Sequence, residues 1–305
     1  MLAAHVTLTA DDLYALRNLR CSVPVPDAVF RIEGPGTISC LQGLLTNDVS
    51  KLPDGNAAWG AFLTAKGMII SDAWIIRDGE SAWVLIPGSA RDTMRQLFAR
   101  TMPPRLAKVG DQTDTVAVRW MVGGIPDAIA GVTIVQPHGP APFTSLLLTT
   151  DAPAHDARLL AHGWVAAPAS HGDALKVVAG WPTLGREIDE RTLPQEVRFD
   201  ELGGVKYDKG CYTGQETVAR LHFRGHANRA LRGVRWAPGD EPNDVNVSVG
   251  DKPIGTLRTI AQLGGERVAL AMLRREVTAG DVVRTGNRDG VVIDLPFDIT
   301  NSAVA

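Results

Sequence analysis

The sequence predicts an α+β protein that ends in an all-β domain, and three observations carry that prediction. First, helical and strand periodicities alternate through residues 1–228. Second, after Arg229 only short β-rich runs remain, at 231–236, 245–249, 255–260, 268–272 and 291–295, separated by Pro, Gly, Asp and Asn. That texture reads as a small antiparallel barrel or sandwich. Third, 305 residues with 45% hydrophobic and 21% charged side chains can fill two or three ordinary cores, which excludes a disordered chain.

The elements follow in order. Thr9 and Asp12 form a capping-box pair that predicts a short helix start. Ile38, Leu41, Leu44 and Leu45 recur at helical spacing, predicting a helix over 36–45. Residues 67–76 read as a strand, and Asp78-Gly79 as a tight hairpin turn into 81–86. Ser89 is placed to cap a helix that runs to about Arg100 and ends before Pro103-Pro104. A second αβ-rich stretch begins near Thr115, with a loop at 137–142 and a helix over 154–162 stopped by Gly163. The predicted division is 1–114 plus 176–228, then 115–175, then 229–305.

A net charge of −3 supplies no global attraction to DNA or to anionic membranes. No apolar run reaches the ~20 residues that span a bilayer, and the N-terminus lacks the basic and apolar regions of a signal peptide. The expectation is a cytoplasmic protein. Cys21, Cys40 and Cys211 lie far apart with no Cys-x-x-Cys, so neither a disulfide framework nor a metal site is read. His222 and His226 are four apart, but Gly225 intervenes and the glutamate of a zinc protease is missing. Gly34-Pro-Gly36 lacks the third glycine of a dinucleotide fingerprint.

One octapeptide concentrates chemistry: Lys209-Gly-Cys-Tyr-Thr-Gly-Gln-Glu216. Thr213 and Glu216 have capping-box spacing ahead of a helix containing Val218 and Leu221. Cys211 would then stand at the positive end of a helix dipole with Lys209 beside it, and both favour thiolate. Gly210 and Gly214 permit tight turns and close approach. Two readings of Cys211 stand, a small buried hydrophobe at a helix start or an activated thiol. Asp72 is a second candidate. On strand periodicity it shares a face with Met68, Ile70, Trp74 and Ile76, where an unpaired carboxylate is costly. It is either bonded to nearby backbone or a sheet edge, or it faces a cavity.

The block Val205-Lys-Tyr-Asp-Lys-Gly-Cys-Tyr-Thr-Gly-Gln-Glu-Thr-Val-Ala-Arg220 resembles the signature of the YgfZ-type folate-binding proteins. These are relatives of the aminomethyltransferase (T-protein) of glycine cleavage. Gly180-Trp-Pro-Thr-Leu-Gly-Arg-Glu187, Leu193-Pro-Gln-Glu196, Leu41-Gln-Gly-Leu-Leu-Thr-Asn-Asp48, Leu63-Thr-Ala-Lys-Gly-Met68 and Asp72 fit the same pattern. The resemblance implies an aminomethyltransferase-like fold, two intertwined α+β halves with a C-terminal antiparallel β-barrel around a central opening. It also implies a tetrahydrofolate-binding accessory protein for iron–sulfur cluster assembly or repair, and thereby for tRNA thiomethylation. Its partners would be a folate and iron–sulfur client enzymes or assembly factors. Under it Cys211 is the functional thiol and Lys209 its tuner. Gly210, Gly214, Gln215, Glu216 and Arg220 complete the motif, and Asp72, Trp181, Asn47 and Tyr212 are the folate-contact candidates. The alternative is a tetrahydrofolate-dependent one-carbon transferase.

Two departures bear on that alternative. T-proteins carry a Tyr-Thr-Gly-Glu stretch whose glutamate grips the pterin, and residues 130–175 hold no counterpart. Relatives read Arg-x-Glu-Ala-Gly where this chain has Lys176-Val-Val-Ala-Gly180. Arg220, Arg224, Arg229, Arg232 and Arg235 form a basic run, either a solvated surface or a docking site for an anionic partner.

Overall fold

The computed structural model describes residues 3–298. The chain opens with β1 (Ala4–Leu8), α1 (Ala10–Asn18) and β2 (Cys21–Val25). The Thr9–Asp12 capping box forms as the sequence predicts. Next come β3 (Asp27–Glu33), α2 (Thr37–Gln42), β4 (Asn56–Leu63), β5 (Ile69–Asp78), β6 (Ser81–Pro87), α3 (Arg91–Thr101) and β7 (Lys108–Asp111). The β5–β6 turn is Gly79-Glu80, with Gly79 at positive φ, one residue beyond the predicted pair. Ser89 does not cap α3. It lies in a 3-10 turn that leads into the helix, and Ala90 takes the cap position without a side-chain bond.

The second half adds β8 (Ala117–Val122), β9 (Val132–Pro137), β10 (Ser145–Thr149), α4 (Ala152–Ala161), β11 (Val165–Ala166) and α5 (Ser170–Ala179). These strands and those of the first half make one ten-stranded sheet, ordered β11-β2-β8-β10-β9-β4-β5-β6-β3-β7. A short parallel contact between β4 and β9 joins the two five-stranded halves. A long irregular segment then leads to α6 (Gln215–Arg224).

The C-terminal strands are β12 (Arg229–Trp236), β13 (Asn246–Val249), β14 (Lys252–Leu263), β15 (Glu266–Arg274), β16 (Val282–Thr285) and β17 (Arg288–Ile293). They close into a six-stranded antiparallel barrel, because β14 pairs with both β13 and β15. Closure removes the exposed edges that an open sandwich would leave. The sequence reading missed β16, a four-residue strand that carries Arg284 and alternates exposed with buried.

The N-terminus departs from the predicted division. β1 runs parallel to β14 and so extends the barrel sheet, while β2 pairs with β8 in the second half. Neither pairs within residues 27–111: β1 continues along the part of β14 that the short β13 leaves uncovered, and β2 covers the edge of β8. Among the described residues no helix is long and apolar enough to cross a membrane.

The two faces of the first half bury different cores. Ala28, Phe30, Ile75 and Val84 pack beneath α2 and α3, with Phe98 edge-on to both Phe30 and Phe62. The opposite face carries Val29, Trp59, Trp74 and Leu85 and meets Trp181, Phe199 and the second half. A bulge opposite Phe62/Leu63 changes the parity of β5. Ile69, rather than Ile70 or Met68, therefore joins Trp74 and Ile76 on the face of Asp72, and Ile70 packs on the other side.

Candidate functional site

Three segments that are far apart in sequence meet at the octapeptide. The Lys209 ammonium donates to the carbonyls of Gln42, Leu45 and Asn47 at 2.8, 2.6 and 2.8 Å, closing the loop after α2 over the motif. Thr213 N–H donates to Gly43 O at 3.1 Å, and Thr46 Oγ1 donates to Gly204 O at 2.6 Å. From the other side the β4–β5 turn presses Gly67 against Gly214 and Thr217. Gly214 sits at φ 82, and a Cβ there would stand 2.5 Å from Thr64 O. Glycine is therefore required by conformation and by space together. Gly210 has nothing within 4 Å of its would-be Cβ and faces open space.

The predicted capping box of Thr213 and Glu216 does not form. Gly214 takes the cap position of α6 in a left-handed conformation with no side-chain bond, and Thr213 and Glu216 are both exposed. Gln215 starts the helix half-buried, and Arg220 points to solvent with Arg224. Cys211 is exposed, which decides against the buried-hydrophobe reading. Lys209 is not spent on the thiol. All three of its protons go to carbonyls, and burial lowers its pKa to about 8 while Asp48 opposes the drop.

The folate-contact candidates divide. Asn47 is 5% exposed and fully bonded: its Nδ2 donates to Trp59 O and Gly203 O, and its Oδ1 accepts from Asp48 N–H. Its work is structural. Trp181 is 2% exposed and packs between Trp59 and Trp74, at 4.3 and 5.9 Å between ring centres, so it belongs to the core instead of offering a free face. Tyr212 is buried with its hydroxyl unpartnered, and its pKa is pushed up to about 12 by burial, with Asp200 adding to the rise. Asp72 is 7% exposed; its Oδ2 accepts from Trp59 Nε1 at 3.2 Å, and its Oδ1 has no partner. Burial raises its pKa, against the pull of Lys176 and the Trp59 bond.

The sheet register puts Asp72 in company that periodicity alone did not reveal. Ala61 pairs with Asp72, Trp74 with Leu85, and Pro87 with Asp27. Continued by two residues, the β5–β6 register sets Asp72 opposite Pro87. Ala61, Asp72, Pro87 and Asp27 thus form one row on one face, with the two carboxylates two strand spacings, about 10 Å, apart. Above the row stands Lys176 of α5, close enough to act electrostatically on both.

Pro87, Asp27, Lys176, Trp120, Leu184 and Arg186 line a cavity of about 420 Å³ between the halves. Burial raises the Asp27 pKa to about 7, Lys176 counteracts, and Asp72 adds to the rise. Lys176 lies 5.4 Å from the Trp120 ring centre, and Trp120 Nε1 is a buried donor without an acceptor. Among the described residues neither Asp27 nor Lys176 makes a side-chain hydrogen bond or an ion pair within 4 Å. Buried polar groups in native proteins are normally satisfied, so the open Trp120 donor beside a carboxylate and an ammonium with no ion-pair partner makes this cavity the candidate ligand site. Trp59 links the two regions, with its indole on Asp72 and its carbonyl on Asn47.

Sequence reasoning passed over Asp27 and treated Lys176 only as a departure from its relatives. The parity test that singled out Asp72 would have found Asp27, which alternates with the core residue Val29. Among the described residues no group of three His, Cys, Asp or Glu side chains could hold a metal. His222 instead stacks on Tyr207 at 3.7 Å.

The fold is aminomethyltransferase-like. It superposes on the glycine cleavage system aminomethyltransferase T of Bartonella henselae with a TM-score of 0.78, covering 93% of this chain and 88% of that one at 15% identity. Residues 26–130 match the GCVT N-terminal domain family. More particularly, the chain is similar along nearly its whole length to proteins named tRNA-modifying protein YgfZ, as the octapeptide implies. It is 26% identical over 300 residues to that of Pectobacterium carotovorum subsp. carotovorum (strain PC1), covering 90% of each. It is 29% identical over 306 residues to that of Cronobacter sakazakii (strain ATCC BAA-894), covering 89% of this chain and 91% of the relative.

Proposed function

We propose that this protein binds tetrahydrofolate and acts as an accessory factor in iron–sulfur cluster assembly or repair, and through it in tRNA modification. The relatives' shared name supports the tRNA role, and likeness to an aminomethyltransferase supports the folate. The observation that carries the reading is the cavity lined by Asp27 and Lys176, with Asp72 buried on the same sheet row beneath it. The Trp120 wall, the Asp27 carboxylate and the Lys176 cation suit a heterocycle that carries both donors and an anionic or carbonyl group. Bound tetrahydrofolate would supply nitrogens that accept a one-carbon unit. Asp72, held toward its protonated form, would keep a proton at such a nitrogen. Cys211 is the redox or transfer thiol, presented to an iron–sulfur client on a rigid wedge clear of the cavity.

Titration calorimetry with tetrahydrofolate, run beside complementation of a deletion strain, tests this. Wild type binds, Asp72→Ala binds at least ~10-fold more weakly, and Cys211→Ala binds normally yet fails to restore thiomethylated tRNA. Full restoration by Cys211→Ala removes the thiol from the mechanism, and no binding by wild type removes the folate. One feature favours a second reading, a tetrahydrofolate-dependent one-carbon transferase: the unpartnered Oδ1 of Asp72. Formation of methylenetetrahydrofolate from an aminomethyl donor would establish it.

A further inference from the structure

One phenylalanine is exposed. The other six are at most 7% exposed, whereas Phe223 on α6 is 66% exposed. Its ring is nonetheless held in place. His222 stands nearly perpendicular to it at 4.8 Å between ring centres and Tyr207 at 5.8 Å, and Tyr207 stacks on His222 at 3.7 Å. The Tyr207 hydroxyl donates to Asp200 at 2.6 Å, which anchors the stack. Phe223 is therefore fixed on its inner side and open to solvent on its outer side.

Helical spacing sets what surrounds the ring. Arg220, Phe223 and Arg224 fall within an arc of about 100° on α6, opposite the buried Val218. Among the described residues neither guanidinium has an ion-pair or hydrogen-bond partner. Arg275, unpaired as well, lies just past the end of the helix, its backbone N–H donating to Asn228 O at 3.0 Å. The one carboxylate of α6, Glu216, stands a turn before Arg220. A helix dipole accounts for cations in a last turn, but not for an exposed ring between them. A protein anchor fills a pocket, and here the ring itself projects. A projecting ring flanked by free cations complements an unpaired nucleobase and its phosphates.

We propose that the exposed face of α6 binds a single-stranded loop of RNA, with a base stacked on Phe223 and flanking phosphates on Arg220 and Arg224. That the strand is RNA rests on the tRNA role proposed above; that it is unpaired follows from the ring and the cations. Fluorescence anisotropy on the full chain tests this, with variant folding checked by circular dichroism. The probes are an RNA stem-loop with an unpaired pyrimidine loop, the blunt RNA duplex of its stem, and poly-glutamate as a protein-like polyanion. Wild type is expected to bind the stem-loop about 10-fold or more tighter than the duplex. Phe223→Leu, apolar but without a π face, is expected to lose about 10-fold on the stem-loop and nothing on the duplex, while Phe223→Trp keeps its affinity. Arg220→Gln combined with Arg224→Gln is expected to weaken both RNAs and to lower the salt slope of log K by about 1.4.

Equal binding of the stem-loop by Phe223→Leu and wild type, or of stem-loop and duplex by wild type, overturns the stacking role. Binding of poly-glutamate in place of RNA assigns the face to an acidic protein and overturns the proposal too. Complementation of the deletion strain keeps this proposal apart from the function above. If wild type binds no RNA but restores thiomethylated tRNA, the RNA site falls and that function stands. If wild type binds the stem-loop as expected but does not restore thiomethylated tRNA, the RNA site stands and that function falls.

Discussion

At the scale of single residues, the cavity carries its signature in proton affinity. Asp27 has a folded pKa of about 7 against an ordinary value of 3.8, raised by burial. The folded state therefore holds that proton more tightly than the unfolded state. The resulting stability is complete below about pH 4 and is lost as pH rises toward and through 7. Asp27→Asn, which cannot ionise, should melt close to wild type at pH 4 and several degrees higher at pH 8, measured by calorimetry. Removing a carboxylate that is costly to ionise in place has that sign, and a gain in stability with a loss of binding is the mark of a functional group. Binding follows the opposite course. A neutral ligand that presents N–H donors to the cavity wall needs ionised Asp27, so its affinity should rise between pH 6 and 8. The charged groups around Asp27 are Lys176 and Asp173 on α5, Arg186 beyond it and Asp72 on β5. Arg186 is paired with Asp173 at 2.7 Å, which leaves Lys176 as the principal counter-charge.

At the scale of elements, the octapeptide is a wedge between two turns. Lys209 ties the loop after α2, and Gly214 admits the β4–β5 turn. Gly214→Ala forces a side chain into positive φ and into Thr64 O, and should cost about 2–4 kcal/mol by chemical denaturation. Gly210→Ala, with open space around it, should cost under ~1 kcal/mol. The contrast distinguishes packing from the demands of the motif as a whole. The resemblance picked out 41–48, 63–68 and 205–220 as parts of one pattern, but only the fold shows that they pack together. The predicted capping box fails, because the chain reaches α6 through a left-handed glycine that takes the cap position itself.

At the scale of the whole molecule, the barrel is bolted to the body by buried polar bonds. Glu187 is 1% exposed, accepts from Thr183 N–H at 3.0 Å and from Thr259 Oγ1 at 2.5 Å, and has its pKa raised by burial. Arg229 pairs through two bonds with Glu196, and Arg258 with Asp189. Arg229 of the basic run is thus a fastener, and Arg235 pairs with Glu266, while Arg220 and Arg224 stay exposed. Glu187→Ala leaves two buried donors without acceptors and should cost about 2–4 kcal/mol. Limited proteolysis should then release the barrel from the body sooner than in wild type.

The sequence alone sufficed for what local pattern encodes: the α1 cap, the β5–β6 hairpin, the turn-rich barrel, and the block of motifs that marks the family resemblance. Asp72 was also within reach, because a carboxylate on an apolar strand face breaks a rule that can be checked residue by residue. Its partners were not. Asp27, Asp72 and Lys176 are brought together by strand register and by α5 crossing the face, and neither is written in any one segment. Trp181 likewise needed the fold, since burial among Trp59, Trp74 and Phe199 depends on how the halves close. Periodicity tells which side chains share a face. Only pairing between distant strands decides which faces meet, and so where a charge is left without a partner.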